Sequence, residues 1–312
     1  MNTLALCVPA YNAESFLPRL LLSAKNQAVP FDEILVYNDA STDQTAKVAE
    51  CHGARVIEGI TNLGCSSGKN ILANLSKCKW VHFHDADDDL LPDFTERVHD
   101  WINRAGDQYD VLLLNFKYVD FSSGNLLMVA NYDADELRRD ALKYAIDHKI
   151  VNFGVYKLKP FLDAGGFDLG KEVLYNEDSA LHQRLAGNGL KFDYLPEITC
   201  INYRYQASMS SSNQLKCARA KYHVLAKTAS AHGSTYPFEL SRQLWICIAS
   251  LGAAQDWEYV EKAIKLSKRL GYPFSPVGSR PFKLLTRVNP FLAAWFREKM
   301  IRLLKPHLRH EI

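Results

Sequence analysis

Residues 81–90 read VHFHDADDDL, so four carboxylates (Asp85, Asp87, Asp88 and Asp89) crowd the end of an apolar, β-prone run. Like charges this close repel and cost stability unless a cation or a helix N-terminus offsets them. Asp85 and Asp87 flank Ala86 directly after the run, where a turn can aim both at one point. That arrangement suits a hard divalent cation holding phosphate oxygens. Taken alone, the pair reads more readily as an acidic solvated loop or as helix N-terminal charge. His82 and His84 share one face of the run and read as packed histidines, not ligands.

The elements that must position these groups show in the alternation of short apolar runs with helical periodicity over the first hundred or so residues, the pattern of stacked βα units. Strands are expected at Leu4 to Val8, Glu33 to Tyr37, Ala54 to Glu58 and Trp80 to His84. Between them, Phe16, Leu17, Leu20, Leu21 and Ala24 fall at helical spacing, with Ser15 placed to cap and Pro18 in the first turn. Thr45 to His52 and the residues around Ile71, Leu72 and Leu75 supply two more helices. Open α/β sheets bind ligands beyond the carboxyl ends of their strands. Four such ends carry polar loops here: "PAYN", "NDASTD", "TNLGCSSGKN" and "HDADDD".

Further along, helices are expected at Pro92 to Arg104 and Asp135 to His148, and strands at "DVLLLNFKYVDF" and "IVNFGVYKL". A glycine-driven turn at "LDAGGFD", a short helix in "NEDSALHQRLAGNG" and a pair of strands broken at Pro196 follow. From about Leu215 the pattern is helical throughout: Lys216 to Ala231, Phe238 to Leu251, Asp256 to Leu270 and Pro290 to Lys305, with "GYPFSPVGSRP" as the clearest linker. The expected division is 1–105, 106–213, and 214–312 as a helical, basic region.

Composition is that of a globular chain of one large or two modest domains: 312 residues, 47% hydrophobic and 23% charged. Seven scattered cysteines without a Cys-x-x-Cys pair argue against a zinc knuckle and for reduced thiols. The N-terminus lacks a basic leader pattern, and no apolar run is long enough to span a bilayer, so a cytoplasmic protein is expected. The formal charge is only +2, yet the chain from Lys262 onward carries twelve Lys and Arg against two Glu. This asymmetry suggests an anionic partner for the tail. Asn289 and Pro290 start a helix whose Leu292, Trp295, Phe296, Met300, Leu303 and Leu304 lie beside Arg297, Lys299, Arg302 and Lys305. That is the composition of a helix on an anionic membrane surface, and equally of one packed on its own domain or a partner chain. Nucleic acid is disfavoured, since no reading module is present.

Together the four loops resemble those of the family 2 glycosyltransferases, inverting enzymes of the GT-A fold, over about Leu4 to Ser211. The resemblance implies a Rossmann-like, mainly parallel sheet with helices on both faces, followed by the helical C-terminal region. It places Pro9 and Tyr11 of "CVPAYN" near a nucleobase. Asp39 of "YNDASTDQT" stands at the position that accepts from a uracil imide, with Asn38 and Ala40 as departures from the usual Asp and Gly. Lys69 of "NLGCSSGKN" would meet ribose or diphosphate, Asp87 would bind Mg²⁺ or Mn²⁺, and Asp85 would lie nearer the ribose. Gly166 belongs to the Gly-Gly-Phe-Asp turn, and Asp178 of "NEDS" would be the base that deprotonates the acceptor hydroxyl, beside Glu177. Arg204 and Gln206 of "YRYQASMSS" fall where the diphosphate is contacted, with Gln206 replacing the usual histidine.

Each of these residues also has a plainer reading: Tyr11 as packing, Asp39 and Asp43 as turn and cap residues, Lys69 as a solvated helix residue, Glu177 as a dipole complement. The implied activity is transfer of a sugar from a nucleotide diphosphate donor, UDP-linked by preference, to a glycan or lipid-linked acceptor, with a peripheral membrane site. Two rivals remain. A haloacid-dehalogenase-like phosphatase also places Asp-x-Asp after a strand, but Asp89 stands where that family has Thr or Val. A non-catalytic sugar-nucleotide or carbohydrate-binding module is motivated by Gln206.

Overall fold

The computed structural model describes residues 2–151, 153–205 and 213–309. In chain order these form β1 (Leu4–Ala10), α1 (Leu17–Lys25), β2 (Glu33–Asn38), α2 (Thr45–Cys51), β3 (Arg55–Glu58), α3 (Cys65–Leu75), β4 (Trp80–Phe83), β5 (Asp89–Leu90), α4 (Phe94–Ala105), β6 (Val111–Asp120) and β7 (Leu126–Val129). There follow α5 (Ala134–Arg139), α6 (Ala141–Asp147), β8 (Gly154–Lys157), α7 (Leu158–Asp163), α8 (Glu177–Gly187), β9 (Phe192–Arg204), α9 (Gln214–His232), α10 (Pro237–Ala253), α11 (Trp257–Arg269), α12 (Arg280–Val288) and α13 (Pro290–Leu304). Short 3₁₀ turns lie at Lys171–Asn176 and Pro306–Arg309. The chain divides into two units, Met1–Ala141 with Val151–Leu169 and Asn188–Gln206, and Leu142–Ile150 with Gly170–Gly187 and Ala207–Ile312.

The first unit is built on a nine-stranded sheet in the order β3-β2-β1-β4-β8-β6-β9-β5, with β7 paired to β6. The first four strands run parallel; β8 is antiparallel to both β4 and β6, so the sheet is parallel across β3-β2-β1-β4 and mixed beyond. Strand β1 lies between two parallel neighbours and all seven of its residues are buried. This is why "LALCVPA" reads as a continuous apolar run and does not alternate. No side chain caps α1: the backbone N–H groups of Phe16 and Leu17 bond Ala13 O at 3.0 and 2.9 Å, and Ala13 N bonds Thr45 Oγ1 at 2.8 Å. A tertiary contact therefore fixes this start, and not Ser15.

Three other expectations are corrected. The segment 135–148 is two helices: Asp133 caps α5 by accepting from Glu136 N, and the extended backbone of Asp140 ends it. The strand pair around Pro196 is one long strand, β9, running parallel to β6 with register shifts at Leu114 to Phe116. Pro196 has no N–H to donate, but its carbonyl accepts from Asn115 Nδ2 at 2.6 Å, so a bulge absorbs the missing ladder bond. Finally, the last two residues of the expected linker, Arg280 and Pro281, open a helix, α12, over a stretch where none was expected.

In the second unit α9, α10 and α11 pack on one another, and α8 lies against α9. Gln183 on α8 links three parts of this core: its Nε2 donates to Ala145 O at 3.1 Å and its Oε1 accepts from Thr228 Oγ1 at 2.6 Å. Asp256 begins α11 by accepting from Tyr259 N while it pairs with Arg219 at 2.6 Å. No helix among the described residues is long and apolar enough to cross a membrane.

His182, fully buried on α8, has Nδ1 2.8 Å from Asp178 O, and burial lowers its pKa to about 4. The folded state therefore keeps it neutral while the unfolded chain takes up a proton below about pH 6.5, so stability is lost as pH falls. Between pH 8 and pH 5 this one residue is expected to remove about 2 kcal/mol from the unfolding free energy. Urea titrations at the two pH values check it: His182→Gln should show a decline smaller by that amount.

Candidate active site

The first wall of the site forms where β2 ends. Asp39 is buried, and its two oxygens accept the backbone N–H groups of Leu63 at 2.7 Å and Gly64 at 2.8 Å. It thus holds the entrance to α3, where Gly64 turns the chain at φ +86°, a conformation that favours glycine. Each carboxylate oxygen keeps a further acceptor direction for a ligand. Helix α3 then runs close over the sheet: a Cβ on Gly68 would lie 2.8 Å from the Tyr37 ring and 3.1 Å from Pro9. Pro9 is buried at the end of β1, whereas Tyr11, just beyond it, leaves about half its surface to solvent.

Asp43 has the turn role weighed for it: Oδ1 accepts from Thr45 N at 2.9 Å and Oδ2 from Glu14 N at 3.2 Å. Ala40, where the family resemblance has glycine, holds φ +58°.

Lys69 is 1% exposed, with Nζ 2.9 Å from Asp85 Oδ1 and 5.4 Å from the centre of the Phe167 ring. A buried ammonium keeps its charge only beside such a partner, which excludes the solvated-helix reading of this residue. Asp85 stays half exposed, and Cys65 Sγ reaches the same Oδ1 at 3.8 Å. Burial, reinforced by the neighbouring Asp85, pushes the Asp87 carboxyl above its usual range.

The other two carboxylates are structural. Asp88 is buried and accepts from Asn202 Nδ2 at 2.7 Å and Tyr203 N at 2.9 Å; burial, then Asp87 and Asp85, drive its pKa well up. Asp89 accepts from Arg19 Nε at 2.8 Å and from the Tyr203 hydroxyl at 3.1 Å. Asp85 and Asp87 are left as hard oxygen donors under mutual repulsion, a set that fits Mg²⁺ or Mn²⁺.

Arg19 was not singled out by sequence reasoning. Its Nη2 donates to the carbonyl of Asp87 at 2.6 Å, and its guanidinium lies 4.1 Å from the centre of the Tyr203 ring. Tyr205 donates to the same carbonyl at 3.3 Å. Asn70 was also passed over: Phe167 N donates to its Oδ1 at 2.9 Å, and its Nδ2 donates to Phe167 O at 3.0 Å. This pair ties α3 to the glycine turn, where Gly166 holds φ +59° and an added Cβ would lie 2.5 Å from Asn70 Oδ1.

The histidines beneath the loop are spent on each other. Gly154 O can only accept, so His82 Nδ1 carries the proton of that 2.8 Å bond. Burial holds His82 neutral, with a pKa of about 4, so its Nε2 accepts from His84 Nδ1 at 2.9 Å. Cys200 Sγ lies within 4.8 Å of these nitrogens, and His84 Nε2 is buried without a hydrogen-bond partner.

Pro9, Asp39, Lys69, Asp85 and Asp87 thus gather along the carboxyl ends of β1, β2 and β4, with Tyr11 at the rim. Arg204 holds its guanidinium over the Tyr118 ring at 4.1 Å, on the strand face opposite Tyr203. Glu177 and Asp178 stand in the first turn of α8 in the second unit. Gln206 lies outside the described residues.

The model of the family described as glycosyl transferase family 2 matches residues 5–163, a span that ends before Asp178. A stretch of 126 residues is 29% identical to the poly(ribitol-phosphate) beta-N-acetylglucosaminyltransferase TarS of Staphylococcus aureus, covering 38% of this chain and 22% of that protein. The chain spans less than half the length of the curated relatives it matches. Among solved structures, residues 1–349 of S. aureus TarS with UDP-GlcNAc superpose with a TM-score of 0.74 at 19% identity, over 96% of this chain and 92% of that one. The mannosyltransferase PcManGT of Pyrobaculum calidifontis with GDP-Man and Mn²⁺ gives 0.54 at 17% identity, over 96% and 87%. These likenesses show the GT-A fold.

Two outcomes follow from the geometry. Ala40→Gly relieves a left-handed alanine, offset in part by the freer unfolded chain, and should stabilise the protein by about 0.5–1 kcal/mol, read as a Tm rise of about 2 °C. Arg19→Met leaves Asp89 and the Asp87 carbonyl short of a donor and should cost on the order of 2 kcal/mol by urea denaturation. Arg19→Lys should recover only part of that, because an ammonium cannot span both acceptors as the guanidinium fork does.

Proposed function

Because the chain belongs to glycosyl transferase family 2, we propose that it moves a sugar from a nucleoside diphosphate, with UDP the favoured carrier, to a hydroxyl acceptor with inversion at the sugar carbon. The observation that carries this reading is the convergence of Asp39, Lys69, Asp85 and Asp87 on one sheet edge, where an acceptor, a buried cation and paired carboxylates meet the successive parts of such a donor. TarS, which shares the fold, is seen with UDP-GlcNAc, and this supports the choice of carrier.

Tyr11 presents its exposed ring to the base, and the spare lone pairs of Asp39 receive the base's imide N–H. Lys69 meets ribose or diphosphate with its charge. Mg²⁺ or Mn²⁺ held by Asp87, with Asp85 beside it, would supply positive charge for the leaving diphosphate. Asp178 takes the proton of the acceptor hydroxyl; that oxygen's electron pair forms the new bond to the sugar carbon as the bond to the diphosphate breaks. Arg204, Glu177 and Gln206 enter this reading as lesser contacts of diphosphate or acceptor, and Gly166 as the shaper of the turn.

In this reading, residues 1–105 serve the donor, 106–213 the acceptor, and 214–312 form the helical region. The acceptor is a lipid-linked or surface-polysaccharide glycan met at the cytoplasmic face of a membrane, and the basic C-terminal helix is the part that meets an anionic surface.

A panel of UDP-, GDP- and dTDP-sugars with Mn²⁺, scored by thermal shift and then by nucleotide release, tests the donor. Asp178→Asn should lower turnover by about 10²–10⁴-fold while UDP binding is unchanged. A variant that keeps its turnover removes Asp178 as the base, and a chain that binds donors but never releases nucleotide is a binding module.

A further inference from the structure

Helix α12 places Pro281, Leu284, Leu285 and Val288 at spacing i, i+3, i+4 and i+7, which gathers them on one face. An apolar stripe on a helix of a globular domain belongs inside, but this one faces solvent: Leu284 is 59% exposed and Val288 86%. The side turned toward the protein instead carries Thr286, which is buried, and Phe282, which meets Trp245. Helix α13, packed against α12, repeats the arrangement. Leu292 (57%), Phe296 and Leu303 (73%) are open, while Ala293, Ala294 and Glu298 are buried.

Charge sorts the candidate occupants. Residues 280–309 contain eight Lys and Arg against one acidic residue, Glu298. That glutamate is withdrawn from the surface: its Oε1 lies 3.0 Å from Arg302 Nε, and its two oxygens accept from Arg309 Nε and Nη2 at 2.9 Å. The exposed charge of the hairpin is therefore entirely basic, with Lys283 and Arg287 on α12 and Lys299 and Lys305 with α13. A second copy of the chain would bring the same positive charge against itself, and a nucleic acid would leave the apolar stripes in water. A surface that is apolar within and anionic at its rim satisfies both features, and Trp295, half-exposed beneath Lys299, has the amphipathic character suited to that boundary.

We infer that α12 and α13 form an interfacial hairpin that lies on an anionic lipid bilayer, with Leu284, Val288, Phe296 and Leu303 entering the acyl boundary and the flanking lysines and arginines meeting the headgroups. This deepens the membrane contact proposed above and rests on it, adding α12 as an equal docking element. Binding of this kind is reversible and weakens with salt.

The test is co-sedimentation of the whole chain with vesicles of phosphatidylcholine alone or mixed with phosphatidylglycerol. The chain should pellet with the mixed vesicles and stay in solution with the neutral ones. Leu284→Ser with Val288→Ser, and separately Lys283→Glu with Arg287→Glu, should each weaken binding about tenfold or more. Tryptophan emission should shift to shorter wavelength on mixed vesicles, by less in Trp295→Phe.

Circular dichroism melts and the nucleotide-sugar thermal shift are run on the same samples, so a failed donor reading or a misfolded variant shows apart from a failed membrane reading. Wild-type chain left in solution with anionic vesicles, or variants that pellet like wild type, overturns the proposal. So does a concentration-dependent oligomer that Leu284→Ser with Val288→Ser dissolves, which would assign the stripe to a second copy.

Discussion

Electrostatic repulsion within residues 85–89 organises much of the first unit. Four carboxylates held on five consecutive residues are tolerable only if other segments bring charge or donors to them. Helix α1 brings Arg19, α3 brings Lys69, and β9 brings Asn202 and the backbone of Tyr203. The loop is in effect a hub whose spokes come from parts of the chain up to 118 residues away. The compensation is uneven: Asp89 is held by Arg19 and Tyr203, Asp85 is shared with Lys69, and Asp88 and Asp87 both stay raised by burial and by their acidic neighbours, Asp88 despite its two donors and Asp87 with its backbone carbonyl held.

Much of this was legible in the sequence because it rests on local order. The βα alternation, the four polar junctions and the helical end follow from apolar periodicity and loop chemistry, and the strand order of the first half agrees with them. What escaped is what depends on distant partners. Arg19 reads as an ordinary solvated helix residue until Asp87 and Asp89 arrive beside it, and Asn70 reads as a helix residue until Phe167 docks. That Asp88 and Asp89, and not Asp85 and Asp87, are taken up by structural contacts depends on β9, more than a hundred residues later. Local rules also misled in places. Pro196 suggested a break, but Asn115 rescues its carbonyl. Ser15 suggested a cap, but Thr45 already holds the segment. Helix α12 was lost because glycine and proline precede it and its apolar face points outward, so it mimics linker composition.

The second unit shows a different economy. Its interior combines neutral polar links, such as Gln183 between Ala145 and Thr228, and a buried neutral histidine with buried carboxylates held by arginines, Asp256 by Arg219 and Glu298 by Arg302 and Arg309.

The same contrast runs through the candidate site in miniature. The loop at 85–89 is fastened by ions, whereas α3 and the glycine turn are fastened by the amide of Asn70, which carries no charge and has no proton to gain or lose in the ordinary pH range. Acid or brine can therefore slacken the carboxylate loop while the scaffold around Gly166 and Phe167 keeps its geometry. Loosening of the carboxylate loop and loss of the surrounding shape are, by construction, separable events in this molecule.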